Sequence, residues 1–331
     1  MKRSRRALFT LIFSVLLCIA ALIIAPLLGS ESLKLSDVLA HLSGPDTSAG
    51  VIFFRIRMPR VLLGLLAGGA LAVSGVVFQA LLRNPLATPY TLGVSAGSAF
   101  GALLVIKTGV TLQWLGFSAV QIAAFAGSLI TISVVYWLAR ISRRRSIYAM
   151  ILAGVTLGYF FSAMILILHY LADFTETHQM IRWTIGGLDI TSYRALLQSY
   201  PVVLIAIFGL WAMAKPLNII SASEEMALAK GVNVQRVQKW MFVVASLITG
   251  TVVALSGPIG FIGLIVPHTL RMLGGPDHRY LIPAALCFGG GFLIIADTIA
   301  RTVLSPIDLP VGIITTLLGG PFFLWLLARS R

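Results

Sequence analysis

Acid–base, metal and nucleophilic chemistry need titratable side chains at useful spacing, and this chain of 331 residues offers few: eleven Asp and Glu, five His and two Cys. His41, His169, His178, His268 and His278 are scattered, with none of the short spacings that let two imidazoles share a metal ion. They fall near the ends of apolar runs, where a histidine serves as a capping or solvated residue. Cys18 and Cys287 each lie inside a long apolar run and read as buried thiols, neither a crosslink nor a metal site. No glycine-rich phosphate loop with its Lys-Ser or Lys-Thr ending occurs, so the chain carries no Walker-type ATP site. No catalytic residue, metal or cofactor is expected. Two charged features stand out instead. Asp297 sits within an apolar run with Arg301 four residues on, a spacing that puts both on one helix face as a local ion pair. Arg55, Arg57 and Arg60 crowd the start of another apolar run.

The elements that must position these groups follow from composition. Hydrophobic residues make up 58%, charged residues 11%, and the mean hydropathy is +0.96. A soluble domain carries about a quarter charged residues, because its surface must face water. This chain could not cover such a surface, so it is a polytopic membrane protein. Apolar runs long enough to cross the hydrocarbon core fall at 7–29, 61–82, 92–107, 115–139, 147–171, 195–214, 240–257, 259–274, 280–301 and 309–328. Lipid forbids unpaired backbone, and nothing alternates like a barrel strand, so the runs are helices and the fold is all-α. The first run could pass for a signal peptide; its length and Pro26, without a clear cleavage site, favour a first span. Residues 1–331 form one transmembrane domain of about ten helices.

Orientation follows from Lys and Arg. With the N-terminus in the cytoplasm, ten crossings leave seventeen basic residues inside, among them Arg140, Arg143, Arg144 and Arg145, and eight outside. Three acids lie inside and eight outside, so the whole net charge of +14 belongs to the cytoplasmic side and both termini are cytoplasmic. The same clusters, short and without interleaved aromatics, exclude a nucleic-acid groove. The outer Arg57 and Arg60 run against the trend; snorkelling from a span boundary is the simplest account of one such residue, and a cluster asks for more. Small residues recur at helix spacing: Gly64, Gly68, Gly69 and Gly75; Gly93, Gly97 and Gly101; Gly289, Gly290 and Gly291. They mark helices that pack closely where lipid supplies no hydrophobic drive.

Between the sixth and seventh runs lies a cytoplasmic segment, 216–239, too short and polar to span. Ser221 or Ser223 as cap, Glu224 and Glu225 in the first turn and Gly231 as stop delimit one short helix, suited to a lever that another subunit pushes. Apart from Asp297 and Arg301 near one end, the spans hold no ionisable group near the midplane, where an ion-coupled carrier usually keeps one.

Four stretches resemble the permease of a type II ABC importer, in the family that takes up ferric siderophores, haem and cobalamin. They are Arg55-Ile-Arg-Met-Pro-Arg60; Asn84-Pro-Leu-Ala87 followed by Gly93-Val-Ser-Ala-Gly97; Leu217 to Gly231; and Ser256-Gly-Pro-Ile-Gly-Phe-Ile-Gly-Leu-Ile-Val-Pro-His268. Asp297 to Arg301 and Leu309-Pro-Val-Gly312 complete the pattern over some 270 residues. The resemblance implies a homodimer in the inner membrane, two cytoplasmic ATPase subunits that hydrolyse ATP on its behalf, and a periplasmic or lipid-anchored binding protein that delivers the substrate. On it, Glu224, Glu225, Met226, Ala227, Leu228, Ala229, Lys230 and Gly231 would couple to the ATPase. Asn84 and Leu86 would lie at the cytoplasmic gate, and Arg57, Arg60 and Arg301 would meet acids of the binding protein. The fifth helix and its outer extension would line the pathway. A ferric siderophore or haem is the expected cargo, with cobalamin as the alternative in the same family and an ion-coupled secondary transporter as the alternative from another class.

Overall fold

The computed structural model describes residues 2–29, 33–34, 36–38, 41, 47–141, 147–189 and 193–329. Arg143, Arg144 and Arg145, which carry much of the cytoplasmic charge, lie outside the described residues. The apolar runs form α1 (Lys2–Ile24), α2 (Met58–Leu81), α3 (Val94–Thr108), α4 (Ala119–Ile141) and α5 (Ile147–Leu171). An amphipathic α6 (Phe174–Ile185) follows, then α7 (Tyr193–Ala212) and two short helices, α8 (Ala214–Ala222) and α9 (Glu224–Ala229). α10 (Val234–Ser256), α11 (Ile262–Gly274), α12 (His278–Thr302) and α13 (Val311–Arg329) complete the chain. Seven of the described helices are long and apolar enough to cross a membrane; the shorter apolar α3, α11 and α13 bring the set to ten. A two-residue hairpin, β1 (Gln113–Trp114) with β2 (Phe117–Ser118), joins α3 to α4.

Two boundaries differ from the hydropathy reading. The second span does not begin at 61: a short helix at Ser48–Val51 and a π-helical segment at Ile52–Arg57 run directly into α2, so Arg55 and Arg57 lie within helix and Pro59 occupies its first turn. Hydropathy reads the arginines as a boundary, whereas backbone pairing continues through them. The stretch read from sequence as one short helix is preceded by another, the two being α8 and α9. Ser223 is extended (φ −160°, ψ 135°) and its Oγ accepts from the Met226 N–H at 3.2 Å, so the serine that caps α9 also ends α8. α6 was legible only as an extension of the fifth helix; its own signal is the pair Asp173 and Glu176, each side chain accepting from the other's backbone N–H.

α2 is the central helix, almost wholly buried, and it packs on α12, α10 and α11. The glycines make this possible: a methyl on Gly68 would strike the Gly289 carbonyl, and one on Gly75 would strike that of Gly263. α1 and α5 are peripheral, with Phe9, Leu16 and Ile23 of the first and Leu152, Tyr159 and Leu166 of the second exposed. Three turns meet tightly at one end. Gly187 N–H donates to the Ser256 carbonyl at 2.8 Å, Gly312 N–H donates to that of Gly186 at 3.2 Å, and Gly186 and Gly257 both hold positive φ. The Ser256-to-His268 and Leu309-to-Gly312 motifs thus form one junction.

Candidate functional site

The antiparallel crossings give the bundle two ends, outer and cytoplasmic by the basic-residue distribution. At the outer end α1 runs into a turn over residues 25–28. Arg57 Nη1 donates to two carbonyls of this turn, Pro26 and Leu27, at 3.1 Å each. Arg301 Nη1 donates to Leu28 at 3.2 Å. Two guanidinium groups therefore sit just past a helix C-terminus, where the aligned peptide dipoles favour positive charge.

Arg60 closes the cluster. Its Nε lies 2.9 and 3.0 Å from the two oxygens of Asp297, and its Nη1 lies 2.8 Å from Asp189 and 3.4 Å from Asp308. Arg301 Nε reaches Asp297 Oδ2 at 3.0 Å. Asp297 is thus shared between a residue of its own helix and one 237 positions away. Arg57, Arg60 and Arg301 are only 5–7% exposed, so they are turned inward, not presented as an outward positive cluster. The reason is energetic. A guanidinium at this depth needs acceptors, and Asp297 with the carbonyls of the turn after α1 supplies them. The charges that do face outward are Asp189, Asp308 and Arg182, whose side chains are 51%, 57% and 61% exposed; Arg182 pairs with Asp189 at 2.9 Å.

At the cytoplasmic end α8 and α9 form an arm. Ala227 packs against Ile220 and Val234 in a small core of its own, while Met226 and Leu228 are about half and two-thirds exposed. Gly231 takes φ +74° with open space where a side chain would stand, so backbone conformation alone asks for glycine there. Three ties hold the arm. Arg83, just past α2, donates to the Ile220 carbonyl at 2.8 Å and lies 3.5 Å from Glu224. Gln238 of α10 donates to Glu224 at 3.0 Å. Asn218 donates to Asp277 at 2.8 Å and accepts from the His278 backbone N–H at 2.9 Å. The hydrogen bonds from Arg279, then those from Asn218, hold the Asp277 carboxyl down at about 2, so the third tie is ionised at any physiological pH.

Asn84 and Leu86 form the turn that follows α2. Asn84 Oδ1 accepts from the Leu86 N–H at 2.9 Å, and the Leu86 side chain is more than half exposed. Arg83 and Asn218, which carry two of the ties, were not singled out from sequence. Arg83 stands beside the Asn-Pro turn at a positive φ of 46°, which no residue pattern signals. Among the described residues no group of three His, Cys, Asp or Glu could hold a metal ion, and Asp297 is the only buried carboxylate.

Comparison with known proteins gives the family and the fold. The model of the FecCD transport family matches residues 16–329. The hemin transport system permease protein HmuU of Yersinia pestis is 40% identical over 282 residues, covering 85% of this chain and 84% of that one. The cobalamin import system permease protein BtuC of Halobacterium salinarum is 40% identical over 288 residues, covering 87% and 76%. A solved protein assigned to the metal-chelate type of ABC transporter, in an inward-facing conformation, superposes with a TM-score of 0.85 at 30% identity, covering 96% of this chain and 98% of that one.

Proposed function

This chain belongs to the FecCD transport family, and from that premise we propose that it is the membrane-spanning permease of an ATP-driven importer for a metal chelate, either a ferric siderophore or haem. Relatives named for hemin and for cobalamin are equally identical to it, so the assignment of cargo within the family rests on the binding protein that serves it.

The observation that carries the reading is the capped arm. A short helix tied to α2, α10 and α12, with Met226 and Leu228 left exposed at its tip, suits a socket on a cytoplasmic ATPase. A push on the arm would reach three transmembrane helices through polar ties. Two copies of the chain, each contributing the exposed face of α5, would enclose the pathway, and Asn84 and Leu86 would constrict it on the cytoplasmic side. ATP hydrolysis belongs to the partner subunits. In the host this places the chain in the cytoplasmic membrane.

Docking of a substrate-binding protein falls to the outer end. Arg60 Nη1 is held by two half-exposed carboxylates, so an acid on the incoming protein can exchange with Asp189 or Asp308. Arg57 and Arg301 support that site from within. An ion-coupled carrier is not favoured, because the one buried carboxylate among the described residues is matched by two arginines.

Uptake of a ferric siderophore into vesicles holding permease, ATPase and ATP should survive a protonophore and stop when ATP is withdrawn. Abolition by the protonophore at constant ATP would move the chain to the ion-coupled class.

A further inference from the structure

The cytoplasmic end holds a second feature beside the arm. Between α1, the end of α2, α8 and the turn from α11 to α12 opens a cleft of about 1150 Å³, lined by Arg6, Arg83, Arg271, Arg279, Asp277 and His278 among others. Four guanidinium groups face one carboxylate. Asp277 is taken by Arg279, with contacts of 2.6–3.0 Å, and Arg83 leans on Glu224. Arg6 and Arg271 have no carboxylate within ion-pair distance among the described residues.

Arg271 is the informative one. It is partly buried on α11, and its hydrogen-bond partner is the side-chain oxygen of Gln79. Gln79 is itself buried and oriented by donating to the Gly263 carbonyl at 3.1 Å, so its oxygen is committed to the arginine. A half-desolvated cation with one neutral acceptor calls for an anion. His278 forms part of the same wall: it is 4% exposed, and its Nδ1 lies 2.6 Å from Asn218 Oδ1.

The form of the cleft says which anion. α1, which lends Arg6 and Ala7 to its wall, is the peripheral helix whose Leu8, Phe9 and Ile12 are exposed. A basic chamber at the cytoplasmic interface that opens beside a helix with an exposed apolar face suits a headgroup whose acyl chains stay in the bilayer. Basic pockets between helices on this side of a membrane take anionic headgroups.

We propose that this cleft binds the headgroup of an anionic phospholipid from the cytoplasmic leaflet, with the phosphate between Arg6 and Arg271 and the acyl chains against the exposed apolar face of α1. The site depends on the chain's crossing the membrane and not on what it carries. Because Arg83 and the Asn218–Asp277–His278 set line the same cleft and hold the arm, a bound headgroup steadies α8 where a partner would push.

The test uses the full-length permease, purified in detergent, stripped of lipid and given phosphatidylglycerol or phosphatidylcholine, with retained lipid counted by native mass spectrometry. Wild-type protein should keep phosphatidylglycerol and release phosphatidylcholine. Arg6→Gln, at an exposed position that leaves folding intact, should weaken retention roughly fivefold, and Arg6→Gln with Arg271→Gln about twenty-five-fold, as expected for each basic group beside an anionic headgroup. Arg236→Gln, exposed and outside the cleft, should change nothing. Equal retention of the two lipids, an unchanged preference in the double variant, or an equal loss in Arg236→Gln would overturn the proposal. So would displacement of the lipid by millimolar inorganic phosphate, which would make this a free-anion site, or by the ATPase subunit, which would make it part of that interface.

Discussion

The two ends of the bundle use arginine in opposite ways. At the outer end Arg57, Arg60 and Arg301 are buried, and their acceptors are Asp297, Asp189, Asp308 and the carbonyls of the turn after α1. At the cytoplasmic end Arg6 lies exposed, Arg83 holds the arm from a half-exposed position, and Arg271 has only an amide for company. The outer arrangement is internally balanced and ties α1, α2 and α12 together. The cytoplasmic one leaves positive charge and exposed Met226 and Leu228 unspent. A buried charge that is fully matched locks a structure, whereas charge left unmatched beside a cleft is available to a partner.

That contrast can be broken most directly at Asp297. Asp297→Asn would leave the buried Arg301 without a carboxylate and Arg60 with only the half-exposed Asp189 and Asp308, which should cost about 3–5 kcal/mol. Thermal unfolding of the detergent-purified protein should show it, and an unchanged midpoint would mean that the cluster is hydrated and not a lock.

A smaller effect is expected at the third tie of the arm. Asn218→Ala removes the acceptor of the His278 backbone N–H and one donor to Asp277, a loss of roughly 1–3 kcal/mol. Hydrogen exchange should speed up in α8 while the outer end of α12 keeps its protection. Equal acceleration at both ends would show that the ends are one cooperative unit.

Ser223→Ala should cost about 1 kcal/mol, since it deletes the cap of α9 and leaves the Met226 N–H open. The change should be confined to α9 in exchange measurements and should lower ATPase association more than it lowers the melting temperature. Spread of the effect into α2 or α10 would count against a separately hinged arm.

The least costly change should be Asp189→Asn, because its pairs with Arg60 and Arg182 are half exposed and such pairs contribute about 0–1 kcal/mol. It should nonetheless free Arg60 Nη1 and speed association with the binding protein at low salt, an advantage lost as salt screens it. Slower association would mean that Asp189 itself is a contact for the partner.

Membrane class, the ten apolar helices, their alternating direction and the stop of the arm at Gly231 were all determined by sequence alone, as was a serine cap at 221 or 223, of which the structure uses Ser223. Each is a local or additive property: twenty apolar residues must be helical in lipid, basic residues favour the cytoplasmic side, and a serine oxygen reaches the N–H three residues on. The ion pair of Asp297 with Arg301 is local in the same sense, being one helical turn. Tertiary structure alone decided that Arg60, 237 positions from Asp297, would share that carboxylate, that the outer arginines would turn inward, and that Asn218 would meet His278 60 positions away. Such pairings depend on how each helix is rotated and how closely its neighbour approaches. The glycine contacts of α2 with α11 and α12 set both, and they are fixed by which carbonyl lies opposite which glycine, a relation between helices that no single stretch of residues contains.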